Sequence, residues 1–97
     1  MLTSKQKRQL KSIAMTEHAL YQIGKNNISE NTVDMLDKAL TARELIKISV
    51  LKSAAISIRE IALDLASTLS AEVVDIIGHT IIMYRINKEK NIIKLVK

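Results

Sequence analysis

Apolar positions along this chain switch between helical and extended spacing, and the switches mark out its elements. From Thr3 to Ala14, Leu10, Ile13 and Ala14 make a narrow apolar stripe, while Lys5, Lys7, Arg8 and Lys11 take much of the remaining surface. That pattern predicts a helix that docks by one edge and presents a basic face. Thr3 can cap it, and Gln6 stands at the spacing that completes a capping box. Met15 to Ala19 reads as a connection. Leu20 to Ile23 predicts a short strand, followed by the loop Gly24-Lys25-Asn26-Asn27. Ser29 is a good N-cap for a second helix reaching Ala42, with Val33, Leu36 and Leu40 on one face and Ile28–Val33 at staple spacing. Glu30 and Asp34 come early in it, Lys38 and Arg43 late, as the helix dipole prefers.

Glu44 to Leu51 is the clearest strand, because Ile46, Ile48 and Val50 alternate with Lys47 and Ser49. After a loop over Lys52 to Ile56, Ser57 opens a third helix. Glu60 completes a second capping box there, Ile56–Ile61 a second staple, and Ile58, Ile61, Ala62, Leu65 and Leu69 the buried face. That helix ends near Ser70-Ala71 without a glycine. Val73–Ile77 and Thr80–Arg85 predict two strands joined by Gly78-His79, the signal of a type II′ hairpin. The tail from Ile86 is polar until Ile92-Ile93-Lys94-Leu95-Val96, a piece that reads either as a short edge strand or as a loose segment. The order is an N-terminal helix and then β-α-β-α-β-β. It predicts an α+β fold, a two-layer sandwich of helices on one face of a small four-stranded mixed sheet.

Length and composition add bounds. The 97 residues make one domain, 1–97, and 47% apolar content supports a core without staples. No cysteine is present, which removes disulfides and thiolate metal sites and fits a reducing compartment. No apolar run approaches a membrane span, and Met1-Leu2-Thr3-Ser4-Lys5 lacks the apolar core of a secretory signal, so the expectation is a soluble cytoplasmic protein.

The net charge of +5 is unevenly placed. Residues 1–11 carry Lys5, Lys7, Arg8 and Lys11 without an acid. Residues 85–97 carry Arg85, Lys88, Lys90, Lys94 and Lys97 against Glu89, and the middle is net acidic. Basic ends on such a body suggest a polyanion, with nucleic acid ahead of membrane; a solvated lysine-rich surface gives the same composition. Tyr21 and Tyr84 are the only aromatic residues. With so little to stack bases on, nucleic-acid binding would rest on phosphates, sugar hydroxyls and shape.

The Gly24–Asn27 loop is the best candidate contact. Glycine lets backbone N–H groups approach an anion, Lys25 adds charge, and the following helix N-terminus favours negative charge. An ordinary strand-to-helix turn uses the same residues. His18 and His79 stand alone, which argues against a metal site. No nucleophile elbow, P-loop or dinucleotide fingerprint occurs, and Glu30–Asp34 and Glu60–Asp64 fit first-turn dipole partners better than an acid/base dyad. Neither an enzyme nor a cofactor is expected.

Several pieces then coincide. Ile23-Gly24-Lys25-Asn26-Asn27-Ile28-Ser29, Glu44-Leu45-Ile46-Lys47-Ile48, Arg59, Ile77-Gly78-His79-Thr80 and Tyr84-Arg85 resemble the CRM domain, the chloroplast RNA splicing and ribosome maturation family. The likeness is to its single-domain bacterial YhbY-type members, spans residues 2–90, and includes the opening Leu2-Thr3-Ser4-Lys5-Gln6-Lys7-Arg8. It implies a fold like the C-terminal domain of translation initiation factor 3, and RNA binding without catalysis. Bacterial members associate with large-subunit precursors, and plant relatives help group II introns fold. The family loop is Gly-x-x-Gly; here Asn27 stands where the second glycine is expected, and His79 where a basic residue is frequent. Asn tolerates positive φ, but its side chain narrows the room for a phosphate, and a neutral histidine adds no charge.

The reading is therefore a non-catalytic RNA-binding protein, a ribosome assembly factor for large-subunit precursor RNA, with a monomer favoured and the oligomeric state left open by the sequence. Its expected contacts are Lys5, Lys7, Arg8, Lys11, Gly24, Lys25, Asn26, Asn27, Arg59 and Arg85, with Lys47 nearby. Arg59 and Arg85 have an alternative as ion-pair partners of Glu60, Asp64, Asp75 or Glu44. Rival readings are a basic adaptor for an acidic protein surface and an RNA-splicing factor.

Overall fold

A computed structural model describes residues 2–16, 20–23, 29–51 and 57–97. The elements are α1 (Ser4–Thr16), β1 (Leu20–Ile23), α2 (Glu30–Arg43), β2 (Leu45–Val50), α3 (Ile58–Leu69), β3 (Glu72–Ile77) and β4 (Thr80–Tyr84). The Gly24–Asn27 loop, the Lys52–Ile56 connection, and Ile28 and Ile56 of the two expected staples lie outside the described residues.

Local chemistry sets the boundaries. At α1, the Gln6 N–H donates to Thr3 Oγ1 (3.1 Å) and the Thr3 N–H donates to Gln6 Oε1 (3.0 Å), a complete capping box. Ser29 Oγ accepts from the Thr32 N–H and Ser57 Oγ from the Glu60 N–H, each at 3.2 Å. α3 stops without glycine because Ser70 itself turns left-handed (φ 53, ψ 44). The Ala71 N–H then reaches the Ala66 carbonyl at 2.9 Å and the Ser70 N–H the Ser67 carbonyl at 3.5 Å, a Schellman closure. Between β3 and β4, Gly78 takes φ +59 while His79 does not, as a type II′ turn requires.

The sheet order is β1-β2-β4-β3. β1 runs parallel to β2, and the other two pairings are antiparallel. Alternation along β2 and β4 sorts side chains to two faces. Ile46, Ile48, Val50, Ile81 and Met83 face α2 and α3, where Leu36, Leu40, Ile61, Leu65 and Leu69 complete the main core. This is the α+β arrangement of helices on a four-stranded mixed sheet that the sequence pattern predicts, except that the pattern put all the helices on one face. α1 takes the opposite face. Leu45, Val74, Ile82 and Tyr84 point there, and burying them needs the apolar stripe of α1, with Leu10 and Ala14 as its contribution and Leu2 ahead of the helix beside them.

The tail completes that second layer. Ile93 and Leu95 pack against the same cluster. The segment forms no strand; side chains bond its backbone instead. Gln9 Nε2 donates to the Lys94 carbonyl and Gln9 Oε1 accepts from the Val96 N–H, both at 2.8 Å, while Gln6 Nε2 donates to the Val96 carbonyl at 2.9 Å. Glu44 forms the main anchor. It caps α2 at φ 66, its N–H donating to the Leu40 carbonyl, and it is fully buried. Its carboxylate accepts from the Asn87 N–H (2.7 Å) and the Ile93 N–H (2.5 Å), and its carbonyl accepts from the Arg85 N–H (2.9 Å).

Two outcomes follow for stability. Ser70→Gly should raise the urea midpoint by an amount equivalent to about 0.5–1 kcal/mol, since glycine removes the Cβ penalty of the left-handed cap; an unchanged or lower midpoint contradicts this account. Glu44→Ala leaves two tail N–H groups without their acceptor, a loss on the order of 2–4 kcal/mol unless the tail opens to water. In hydrogen exchange, the Asn87 and Ile93 amides should lose protection in that variant while the β2–β4 ladder keeps its own. Unaltered protection at both amides would refute the anchor.

Candidate nucleic-acid interface

The two sides of the sheet carry different charge. On the α1 side, the helix bears Lys5, Lys7, Arg8 and Lys11 without an acid, and the tail segment that packs beside it carries Lys94; Lys88 and Glu89 lie instead near Thr41 and Arg85, at the α2 corner. The other side is acidic on balance: α2 and α3 bear Glu30, Asp34, Asp37, Glu60 and Asp64 against Lys38, Arg43 and Arg59. The origin is local. α1 is held by Leu10 and Ala14 alone among its fully buried residues, which leaves the rest of its circumference for cations. The dipoles of α2 and α3 favour the acids that begin them.

The predicted α1 contacts are all exposed, but they are not equivalent. Lys11 Nζ lies 3.0 Å from Asp75 Oδ2 on β3. The Lys11 hydrogen bond, joined by the Ile76 N–H at 2.8 Å, holds the Asp75 carboxyl below the usual carboxylate range. Such a half-exposed pair contributes only about 0–1 kcal/mol to the fold. Lys5, Lys7 and Arg8 make no ion pair among the described residues. Lys47 is half-buried on β2, on the α1 side of the sheet.

Arg59 and Arg85, alike in sequence terms, are placed differently. Arg59 is exposed on the first turn of α3 and makes no ion pair among the described residues. Arg85 is built into the fold. Its Nη1 donates to Asp37 Oδ1 (2.7 Å) and the Leu69 carbonyl (3.0 Å); its Nη2 donates to the Asp37 carbonyl and Thr41 Oγ1 (both 2.8 Å). With its side chain 20% exposed, it ties the end of β4 to α2 and the last turn of α3. Its carboxylate partner is Asp37, which lies on α2 at a distance in sequence that no spacing rule reaches.

Gly24, Lys25, Asn26 and Asn27 lie outside the described residues. The flanks of their loop are described: Ile23 is buried at the end of β1, its carbonyl accepting from the Leu51 N–H at 3.1 Å, and Ser29 caps α2. The hairpin lies at that same end of the sheet, where the His79 carbonyl accepts from the Val50 N–H at 2.8 Å. Neither tyrosine offers a stacking platform. Tyr84 is buried under α1, and its hydroxyl has no hydrogen-bond partner among the described residues. Burial, reinforced by the Glu44 and Glu72 carboxylates, pushes its phenol above the usual range. Tyr21 is half-buried against the main core. Among the described residues there is no cluster of His, Cys, Asp and Glu fit for a metal, and no helix long and apolar enough to cross a membrane.

Sequence reading alone misses the tail as part of this face. The signal was present in Glu44, an acid at a helix C-terminus where the dipole disfavours one, so that another interaction had to hold it there.

Comparison with known proteins gives a consistent result. The chain is 39% identical over 95 residues to "Probable RNA-binding protein YqeI" of Bacillus subtilis, covering 98% of this chain and 99% of that one. It is 30% identical over 91 residues to a Haemophilus influenzae protein named "RNA-binding protein", covering 94% and 92%. With "Probable RNA-binding protein MJ0652" of Methanocaldococcus jannaschii it shares 38% over 86 residues, which is 87% of this chain and 63% of that longer one. The solution structure of the hypothetical protein SAV1595 from Staphylococcus aureus superposes with a TM-score of 0.73 at 42% identity, covering 99% of this chain and 100% of that one. Residues 2–85 match the CRS1 / YhbY (CRM) domain, and the chain belongs to that family.

Proposed function

We propose that this protein binds RNA without catalysing a reaction, and that its α1 side is the binding face. The observation that carries the proposal is the sorting of charge: α1 bears four cations and no acid, three of them without an ion pair among the described residues, and acids outnumber bases on α2 and α3 across the sheet. Phosphates are the ligand such a face selects, because each neutralised phosphate releases condensed counterions. Lys5, Lys7 and Arg8 make the primary contacts, Lys11 adds charge while pinned to Asp75, and Gly24, Lys25, Asn26 and Asn27 are further contacts. Arg59 joins from the rim of the opposite layer. Arg85 contributes by holding α2, α3 and β4 together. With both tyrosines packed into the fold, recognition works through backbone and shape, which suits folded RNA. The names of the relatives support RNA as the ligand. The finer reading is a monomeric, cytoplasmic ribosome assembly factor acting on large-subunit precursor RNA.

The test is binding of a structured ribosomal RNA fragment across a salt series. Affinity should fall steeply, with log K against log salt sloping by about 0.7–0.9 per phosphate neutralised. Lys5→Glu with Arg8→Glu should weaken binding about tenfold or more and flatten that slope by roughly two contacts. A flat salt dependence, or full binding by the double variant, would sink the proposal. Lys25→Glu with Gly24→Asp measures the loop separately, and unchanged gel-shift binding removes it from the site. Co-sedimentation with ribosomal particles that survives complete RNA digestion would favour an adaptor for acidic protein surfaces instead.

A further inference from the structure

β3 is an edge strand: β4 pairs with one side, and no strand pairs with the other among the described residues. Beside that open edge lies a cavity of about 320 Å³ bounded by both helical layers. Val73, Val74 and Ile76 of β3 form its apolar floor; Lys7 of α1 borders it from one layer, and Arg59 with Leu63 of α3 from the other. Arg59 and Leu63 are four residues apart on α3, so they sit on neighbouring turns of one helix face. Leu63 is 60% exposed, apolar surface beside two cations. The acid at the cavity, Asp75, is answered by Lys11 at 3.0 Å, so the local balance stays positive.

Three occupants are conceivable for such an edge, and the geometry separates them. An added peptide strand needs a regular ladder, but β3 has a register shift between Val73 and Asp75, the kind of irregularity that guards an edge against strand addition. A second copy docking edge to edge would bring its own Lys7 and Arg59 against this pair, cation facing cation. A phosphodiester needs no register, is attracted by both cations, and carries ribose carbons that can lie on Leu63 and the β3 floor.

We infer that the β3-edge groove seats one phosphodiester of a bound RNA, with Lys7 and Arg59 clamping it from opposite layers and Leu63 supporting the adjoining ribose. The inference rests on RNA binding by the α1 face and extends its track around the sheet edge. It explains why an exposed arginine and leucine interrupt an otherwise acidic α3.

The experiment uses the full chain, a fluorescein-labelled structured ribosomal RNA fragment and fluorescence anisotropy. Leu63→Glu puts a carboxylate in the groove; Met35→Glu, on α2, makes the same charge change at another exposed apolar site. Leu63→Glu should weaken binding about tenfold and Met35→Glu by less than about twofold, since the charge acts at short range in salt. Lys7→Ala and Arg59→Ala should each lose about three- to tenfold, with the double variant losing less than the product because both hold one phosphate. Equal effects of Leu63→Glu and Met35→Glu overturn the groove, as do fully multiplicative or absent losses in the alanine pair, which also decides the matter if Leu63→Glu fails to fold. Self-association that Leu63→Glu abolishes in the absence of RNA overturns it in favour of a second copy. A folded wild-type chain that does not bind the RNA refutes the underlying RNA reading, an outcome distinct from failure of the groove alone.

Discussion

A buried carboxylate is tolerated only where donors replace the water it has lost. Glu44 meets that constraint with the Asn87 and Ile93 N–H groups, both supplied by the tail. The acid thus dictates where the last dozen residues go. Once Asn87 and Ile93 are fixed, Ile93 and Leu95 fall onto the sheet face that α1 leaves incompletely covered, and Gln6 and Gln9 take up the tail backbone beyond them. Arg85, next to the same corner, does the corresponding job on the opposite face. Its four hydrogen bonds join β4 to α2 and α3. One corner of the sheet therefore secures both layers, one through a carboxyl group that receives backbone donors, the other through a guanidinium that donates to backbone and side-chain acceptors.

The distribution of surface charge depends on that corner. With the tail anchored, Lys94, between Ile93 and Leu95, is held beside α1. A detached tail would put the same charge on a mobile chain, attracting a polyanion without orienting it. Phosphate contacts position a ligand only when their donors have fixed relations to one another. The buried acid, which itself meets no ligand, is in this sense a positioning group for the basic face.

Most of the architecture was legible in the chain because it rests on local rules. The Thr3, Ser29 and Ser57 caps, the alternation of Ile46, Ile48 and Val50, and the Gly78 turn each need only a few neighbouring residues to specify an element. What the chain does not show is which distant groups answer each other. Arg85 and Asp37 are 48 residues apart, and Glu44 and Ile93 are 49. Placing α1 opposite α2 and α3 is a similar case. It depends on Leu45, Val74, Ile82 and Tyr84 all pointing one way, which the bulge between Val73 and Asp75 helps to arrange. Arg59 and Arg85 show the same limit within the site: composition treats them alike, while tertiary structure exposes one and consumes the other.

The absence of stacking side chains then gives the cationic arrangement more weight. A sheet that presents aromatic residues to bases can read single strands directly. This sheet is covered on both faces, by α2 and α3 on one and by α1 and the tail on the other, and Tyr84 lies within the covered part. Its open regions are its strand edges, its loop ends and the outer surfaces of its helices. A ligand that approaches such a surface meets charges before it meets anything that distinguishes one base from another. On the proposed reading, selectivity comes from the three-dimensional spacing of phosphates in a folded RNA matched to cations on more than one layer, for which Lys7 and Arg59 on either side of the β3 edge are suitably placed.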